Sequence, residues 1–245
     1  CVTPASVVES RTLARDEMAS IDDMKRIAGN AAIEELPMEG AIGLGTGSTV
    51  AYFLEALAGL IRAGRRLAGV ASSEETRHRA HALGIPLLSD DGPWSIAVTV
   101  DGADEVDPSL DLIKGAGGAF AREKVLNVAS VKNVILIDET KRSPRLGTRS
   151  DVPIEVLAFG YLATRAHLER YGNAVLRTLD GVPVRTDGGN LVYDLRIGPI
   201  EDAGALDARL RTIPGVVETG LFIGRADVVL VGTIRGLMRL ERSSR

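Results

Sequence analysis

Three segments of the chain concentrate side chains able to handle an anionic, hydroxyl-rich small molecule. Gly45-Thr46-Gly47-Ser48-Thr49 stands between a short apolar run and a helical pattern. Its glycines let backbone approach an anion, and the helix start offers free N–H groups beside the Ser48 and Thr49 hydroxyls. The spacing is not a dinucleotide fingerprint, because Ser48 or Val50 stands where the third glycine belongs, and no lysine precedes Ser48 as in a P-loop. A tight turn with a Ser/Thr helix cap explains the same residues. Asp101-Gly102-Ala103-Asp104-Glu105 follows the clearest run of buried-strand type, 95–100. Asp101 and Asp104, on a turn opened by Gly102, can converge on one ligand and accept hydrogen bonds from hydroxyls or shuttle protons. A calcium loop is disfavoured, since Ala103 offers no oxygen at the needed position. A solvated acidic turn is the plain alternative.

The third segment, Lys114-Gly115-Ala116-Gly117-Gly118-Ala119-Phe120-Ala121-Arg122-Glu123-Lys124, is the most informative. Lys114 and the loose N–H groups of the loop can stabilise an oxyanion, where loss of one donor typically raises a barrier by about 3–4 kcal/mol. Glu123 near a helix start is expected to stay ionised, as a general base must. Read alone, the residue is better taken as a plain helix-start acid between solvated Arg122 and Lys124. Lys141 follows another apolar strand and can reach the same crevice to meet a phosphate, with Lys25 a weaker candidate. His78 and His81 are one helical turn apart but have no evident third ligand, and His167 has charged neighbours. No G-x-S-x-G elbow points to a serine hydrolase.

These segments are positioned by a repeating pattern. Met24, Ile27, Ala28, Ala31, Ala32 and Leu36 recur at helical spacing up to Pro37. Apolar strands are predicted at 41–44, 67–71, 95–100, 133–137 and 227–232, with helices after residue 49, over 74–83 and from near Ala119. Short apolar strands alternating with helices imply βαβ units and a parallel sheet, whose ligands sit at the carboxyl ends of the strands. From Pro153 the pattern changes: 184–195 reads as a strand pair around Asp187-Gly188-Gly189-Asn190, and 207–213 as a helix. The expected organisation is therefore a lead over 1–20, disordered or extraneous, and a catalytic domain over 21–149. A small α+β domain over 150–220 follows, then a segment 221–245 that rejoins the first sheet.

Whole-chain properties narrow the classes of function. With 245 residues, 45% of them hydrophobic and 25% charged, the chain can bury a sizeable core. One cysteine, Cys1, excludes an internal disulfide framework and a Cys-rich zinc site and suits a reducing compartment. A formal net charge of -4 with no basic run argues against nucleic acid as the main partner. No stretch approaches the ~20 apolar residues of a membrane span, and Cys1 to Ser20 show neither a signal-peptide run nor an acid-free transit pattern.

Taken together, the segments resemble the type A ribose-5-phosphate isomerase family. The resemblance rests on 45–49, 101–105, Lys114 with its loop, and Arg122-Glu123-Lys124. It extends to Asp138-Glu139-Thr140-Lys141, Leu146-Gly147, Thr186-Asp187-x-Gly189-Asn190, Ile213-Pro214-Gly215-Val216-Val217 and Gly220-Leu221-Phe222. It implies an α/β fold with a Rossmann-like, mostly parallel sheet, helices on both faces and a smaller α+β domain. It also implies a cytoplasmic homodimer or homotetramer acting on a sugar phosphate without a cofactor or metal. Substrate contacts are implied at Thr46, Gly47, Ser48 and Thr49, at Asp101, Gly102, Ala103 and Asp104, and at Lys114, Gly115, Ala116, Gly117 and Lys141. Glu123 aligns with the family's catalytic base, with Lys114 and the loop amides facing an enediolate and Asp101 or Asp104 assisting ring opening. Ala116 departs from the family's usual glycine and fits if its φ stays negative. The alternative reading is a sugar-phosphate sensor that binds without catalysis. Such sensors carry a DNA-binding helix-turn-helix module, a pattern that the residues before Ile21 do not show.

Overall fold

The computed structural model describes residues 20–242, so the expected lead lies outside them except for Ser20. Ser20 caps the first helix, α1 (Ile21–Ala31), in a reciprocal box: it accepts from the Asp23 N–H while the Asp23 carboxylate accepts from the Ser20 N–H. The helical periodicity continues to Leu36, but the α-helix ends at Ala31 and a single 3-10 turn covers Ala32–Glu35. Next come β1 (Glu39–Leu44), α2 (Ser48–Arg62), β2 (Arg66–Ala71), α3 (Glu74–Ala82) and β3 (Ile96–Gly102). Two short strands, β4 (Glu105–Val106) and β5 (Leu112–Ile113), lead to α4 (Phe120–Ala129) and β6 (Ser130–Asp138). The chain continues through β7 (Val152–Val156), α5 (Tyr161–Leu168), β8 (Asn173–Leu176), β9 (Thr178–Leu179), β10 (Val182–Pro183), β11 (Leu191–Arg196), α6 (Ala203–Arg211) and β12 (Val216–Thr219). It closes with β13 (Leu221–Phe222), β14 (Val228–Thr233) and β15 (Gly236–Glu241).

The main sheet has the order β15-β14-β6-β3-β1-β2, and only the β14–β15 pair is antiparallel. Alternation along its central strands explains why it is covered on both faces. Val134, Leu136, Val228 and Leu230 pack with Ala28 of α1 and Phe53, Leu54 and Leu57 of α2. Their neighbours Ile135, Ile137, Val229 and Val231 point the other way, onto Phe120 of α4 and Phe222. Burial of each large side chain contributes roughly 2 kcal/mol. Gly232 lies against the Met24 carbonyl, where a Cβ would approach the oxygen to 1.8 Å.

A second sheet, β12-β7-β11-β8, is wholly antiparallel. Leu168 of α5 and Leu206 and Leu210 of α6 pack with its Ile154, Tyr193 and Leu195. The small sheet β13-β5-β4 lies between the two larger ones: Ile113 and Leu221 pack with the second sheet, and Leu112 and Phe222 with the main one. Two local expectations are corrected here. Only 191–196 forms a strand in the sheet, because the segment before the Asp187–Asn190 turn keeps a single bridge, Arg185 to Leu191, while Val182–Pro183 pairs back onto β9. Helix α6 starts at Ala203 rather than 207, since the Asp202 side chain accepts from the Ala205 N–H and supplies its cap.

Candidate active site

The carboxyl ends of β1, β3 and β6 open into one cavity of about 450 Å³. After β1 the backbone turns at Gly45, where a Cβ would collide with the Asp101 carboxylate at 2.1 Å. That close approach lets the Thr46 N–H donate to Asp101 Oδ1 at 3.1 Å. The Thr46 hydroxyl lies within hydrogen-bond reach of Ser72, Ser73 and Thr76, and Thr76 donates in turn to the Gly45 carbonyl. Gly47 takes φ of 118°, a left-handed value that glycine tolerates, and α2 begins at once. The first intrahelical bond runs from the Ala51 N–H to the Gly47 carbonyl. The Ser48, Thr49 and Val50 amides therefore precede it and mark the positive end of the helix.

Beneath the cavity lies a buried triad of charges. Lys114 Nζ donates to the Gly102 carbonyl at 2.6 Å and sits 3.1 Å from Asp101 Oδ2 and 3.0 Å from Glu123 Oε2. All three side chains are at most 6% exposed. Burial opposes the charge on Lys114, yet Asp101 and Glu123 hold its pKa above the ordinary lysine value. For Glu123, burial first and the Asp101 carboxylate second push the pKa up to about 8, against the pull of Lys114. The expectation of a freely ionised Glu123 is corrected accordingly: desolvation outweighs the helix-start field. Its buried Oε2 has the ion contact with Lys114 but no aligned hydrogen bond, and Glu123 is among the residues that line the cavity.

The cavity gathers the expected residues with one exception. Thr46 to Thr49 line one side, Gly102, Ala103 and Asp104 another, and Lys114 to Gly117 with Glu123 a third, while Lys141 closes the rim. Asp101 does not line it. Its carboxylate is engaged below by Lys114 and by the N–H groups of Thr46 and Gly102, which leaves Asp104 as the accessible acid of that pair. Ala116 is absent from the positive-φ residues, so its methyl fits the loop. Its N–H donates to Asp104 Oδ2 at 2.9 Å. Lys25 reaches the cavity from α1. Ile21, Asp138 and Thr140 also line it: Asp138 and Thr140 belong to the motif that ends at Lys141 but are not among the expected contacts, and Ile21 carries no signal; Asp138 Oδ1 accepts from the Thr140 N–H at 3.0 Å.

Contacts from the second sheet brace the same loops. Arg177 donates to the Gly115 carbonyl at 2.8 Å and to the Ala116 carbonyl at 3.1 Å, and it is paired with Asp194. Arg122 meets Glu74, Asp90 and Asp187. Lys124 turns away from the cavity and donates to Glu218 and to the Thr219 and Leu221 carbonyls. Glu105, fully buried, accepts from the four amides of residues 147–150. His78 and His81 lie on α3, and no group of three or more potential metal ligands occurs among the described residues. No helix among them is long and apolar enough to cross a membrane.

Comparison with known proteins converges on one family. The family's sequence model, described as Ribose 5-phosphate isomerase A (phosphoriboisomerase A), matches residues 68–236. The chain is 46% identical over 228 residues to ribose-5-phosphate isomerase A of Caulobacter vibrioides, covering 91% of this chain and 99% of that one. It is 42% identical to the protein of the same name from Thermococcus kodakarensis, covering 91% and 100%. Among solved structures, a D-ribose-5-phosphate isomerase in complex with phospho-erythronic acid superposes with a TM-score of 0.88 at 39% identity, covering 91% of this chain and all of that one. The Plasmodium falciparum ribose 5-phosphate isomerase gives 0.87 at 34% identity, with the same coverage.

Proposed function

The chain belongs to the ribose 5-phosphate isomerase A family, and from that premise we propose how its residues interconvert D-ribose 5-phosphate and D-ribulose 5-phosphate. The observation that carries the assignment of roles is the 3.0 Å approach of Lys114 Nζ to a Glu123 oxygen on the cavity floor. Glu123 takes the proton from C2 of the open-chain aldose, leaving an enediolate, and after exchange with solvent delivers a proton to C1, while the hydroxyl proton passes from O2 to O1. A pKa of about 8 leaves roughly one molecule in ten ionised at pH 7, but it also makes the ionised form a stronger base than an exposed glutamate. Lys114 and the Gly115–Gly117 backbone face the oxygen that gains charge. Asp104, accessible where Asp101 is not, assists ring opening and holds hydroxyls.

The phosphate lies at the start of α2 on the Ser48 and Thr49 amides and hydroxyls, with Lys141 and Lys25 supplying charge. Remote binding energy of that kind fixes the reacting end. The segment 21–149 together with 221–245 carries the reaction, and 150–220 forms a smaller supporting domain. The protein works in the cytoplasm, which suits its single cysteine. It assembles as a homodimer or homotetramer, a reading supported by Val125 and Val128, 58% and 57% exposed on one helix, with Val131 beside them at 86%.

The test is isomerisation of ribose 5-phosphate by purified protein in deuterated water. Proton transfer through Glu123 places deuterium on carbon; complete intramolecular transfer without solvent label would overturn this route. Sedimentation of the same preparation reports the assembly, and a monomer at micromolar concentration would remove the oligomer reading.

A further inference from the structure

We infer that Arg177 is a positioning residue for the isomerisation, aiming the Gly117 amide into the cavity by gripping the loop from behind. The inference rests on the reading of Lys114–Gly117 as the face that meets the developing oxyanion. Arg177 follows β8 in the smaller sheet, and its side chain is 17% exposed. Its Nε donates to Asp194 Oδ2 at 3.0 Å and a second nitrogen to Asp194 Oδ1, so the planar fork is locked from the neighbouring strand β11. The remaining terminal nitrogen donates to the Gly115 carbonyl at 2.8 Å and the Ala116 carbonyl at 3.1 Å.

A trans peptide places its C=O and the following N–H on opposite edges of one plane. The first of the two gripped peptides shows the consequence directly. Arg177 holds the Gly115 carbonyl on one edge, and the Ala116 N–H on the other edge meets Asp104 at 2.9 Å, on the cavity side. The second gripped peptide follows the same rule, so the Gly117 N–H is directed away from Arg177, towards the cavity that Gly117 lines. On its far side this peptide is followed by Gly117, which has no side chain to resist its rotation. The Gly115 carbonyl has a second donor, the Gly118 N–H at 3.0 Å, whereas the Ala116 carbonyl has Arg177 alone among the described residues. Arg177 is not itself among the residues that line the cavity; it acts through the peptide. The smaller sheet thereby contributes to transition-state stabilisation and not to substrate affinity.

The experiment compares wild type with Arg177→Met and with Arg177→Met combined with Asp194→Asn, which leaves no unpaired carboxylate. In both variants kcat is expected to fall about 10- to 100-fold while KM stays within roughly threefold, the pattern for losing an interaction made only in the transition state. Phospho-erythronic acid, whose planar carboxylate has the shape and charge of an enediolate's oxygens, is expected to bind weaker by a similar factor, with inorganic phosphate affinity unchanged. Arg177→Lys, which keeps charge but not the fork, should recover less than a tenth of the lost rate. An unchanged kcat, a loss accounted for by the unfolded fraction seen in cooperative melting, or full recovery in the lysine variant would each overturn the inference. Absence of isomerisation in wild type would instead remove the functional reading. The effect on phospho-erythronic acid binding, and the Gly117 amide signal followed by NMR, would then still decide the placement of the peptide.

Discussion

Replacing Glu123 by Gln separates what this carboxyl does for the reaction from what it costs the fold. In the native protein its pKa stands at about 8 against an ordinary 4.5, because burial and Asp101 disfavour the charge. The difference of 8 minus 4.5, at 1.36 kcal/mol for each pH step, is roughly 5 kcal/mol. The folded state keeps a proton that the unfolded chain has already released, so this group's contribution to stability is fully present below pH 4.5. It declines as pH rises and levels off above about 8. Glutamine has the same shape and no charge to bury. The stability gap between Glu123→Gln and wild type should therefore widen by about 3 kcal/mol in favour of the variant between pH 6 and pH 9. Turnover should fall about 10²- to 10⁴-fold, the usual contribution of a positioned base. Urea denaturation at a series of pH values gives the first quantity, and a ketose-formation assay the second. A gap that does not widen with pH would refute the electrostatic account, and near-normal turnover would remove Glu123 from the role of base.

Three other outcomes follow from the same geometry. Wild-type kcat/KM should climb close to tenfold per pH step below about 8 and flatten above it, as Glu123 loses its proton; a flat profile from pH 6 to 9 contradicts this. Lys141→Met should raise KM about 10- to 100-fold by removing a charged donor from the phosphate, with kcat much less affected; steady-state kinetics would expose an unchanged KM. Glu105→Gln looks conservative, but each oxygen of Glu105 accepts from two amides of residues 147–150. An amide group there turns a donor toward donors, with an expected loss of roughly 2–4 kcal/mol, and an unchanged denaturation midpoint would refute it.

The strand ends were legible because buried parallel strands read as continuous apolar runs, and Leu44, Val100 and Ile137 each end one just before the distinctive residues. What sequence spacing could not convey is depth. Asp101 and Asp104 look equivalent in a row of five residues, yet the missing Cβ at Gly45 draws Asp101 down onto Thr46 and Lys114 while Asp104 stays in the cavity. Glu123 misled for a related reason: its local helix position favours ionisation, and the burial that outweighs it comes from chain elements far away in sequence. Arg177 carries no motif of its own. A weak signal existed in Asp194, a lone acid within the apolar run Leu191-Val192-Tyr193-Asp194-Leu195, since a partly buried acid calls for a cation.

The position of β14 has a consequence for synthesis. It lies inside the main sheet, between β6 and β15, and Gly232 presses on the Met24 carbonyl of the first helix. A nascent chain leaving the ribosome therefore holds β1, β2, β3 and β6 for some ninety residues of further translation before the strand that borders β6 emerges. Until then the β6 border is an open template for pairing with other chains, and α1 lacks part of the surface it covers. Closure between distant ends of the polypeptide makes this half slow to complete.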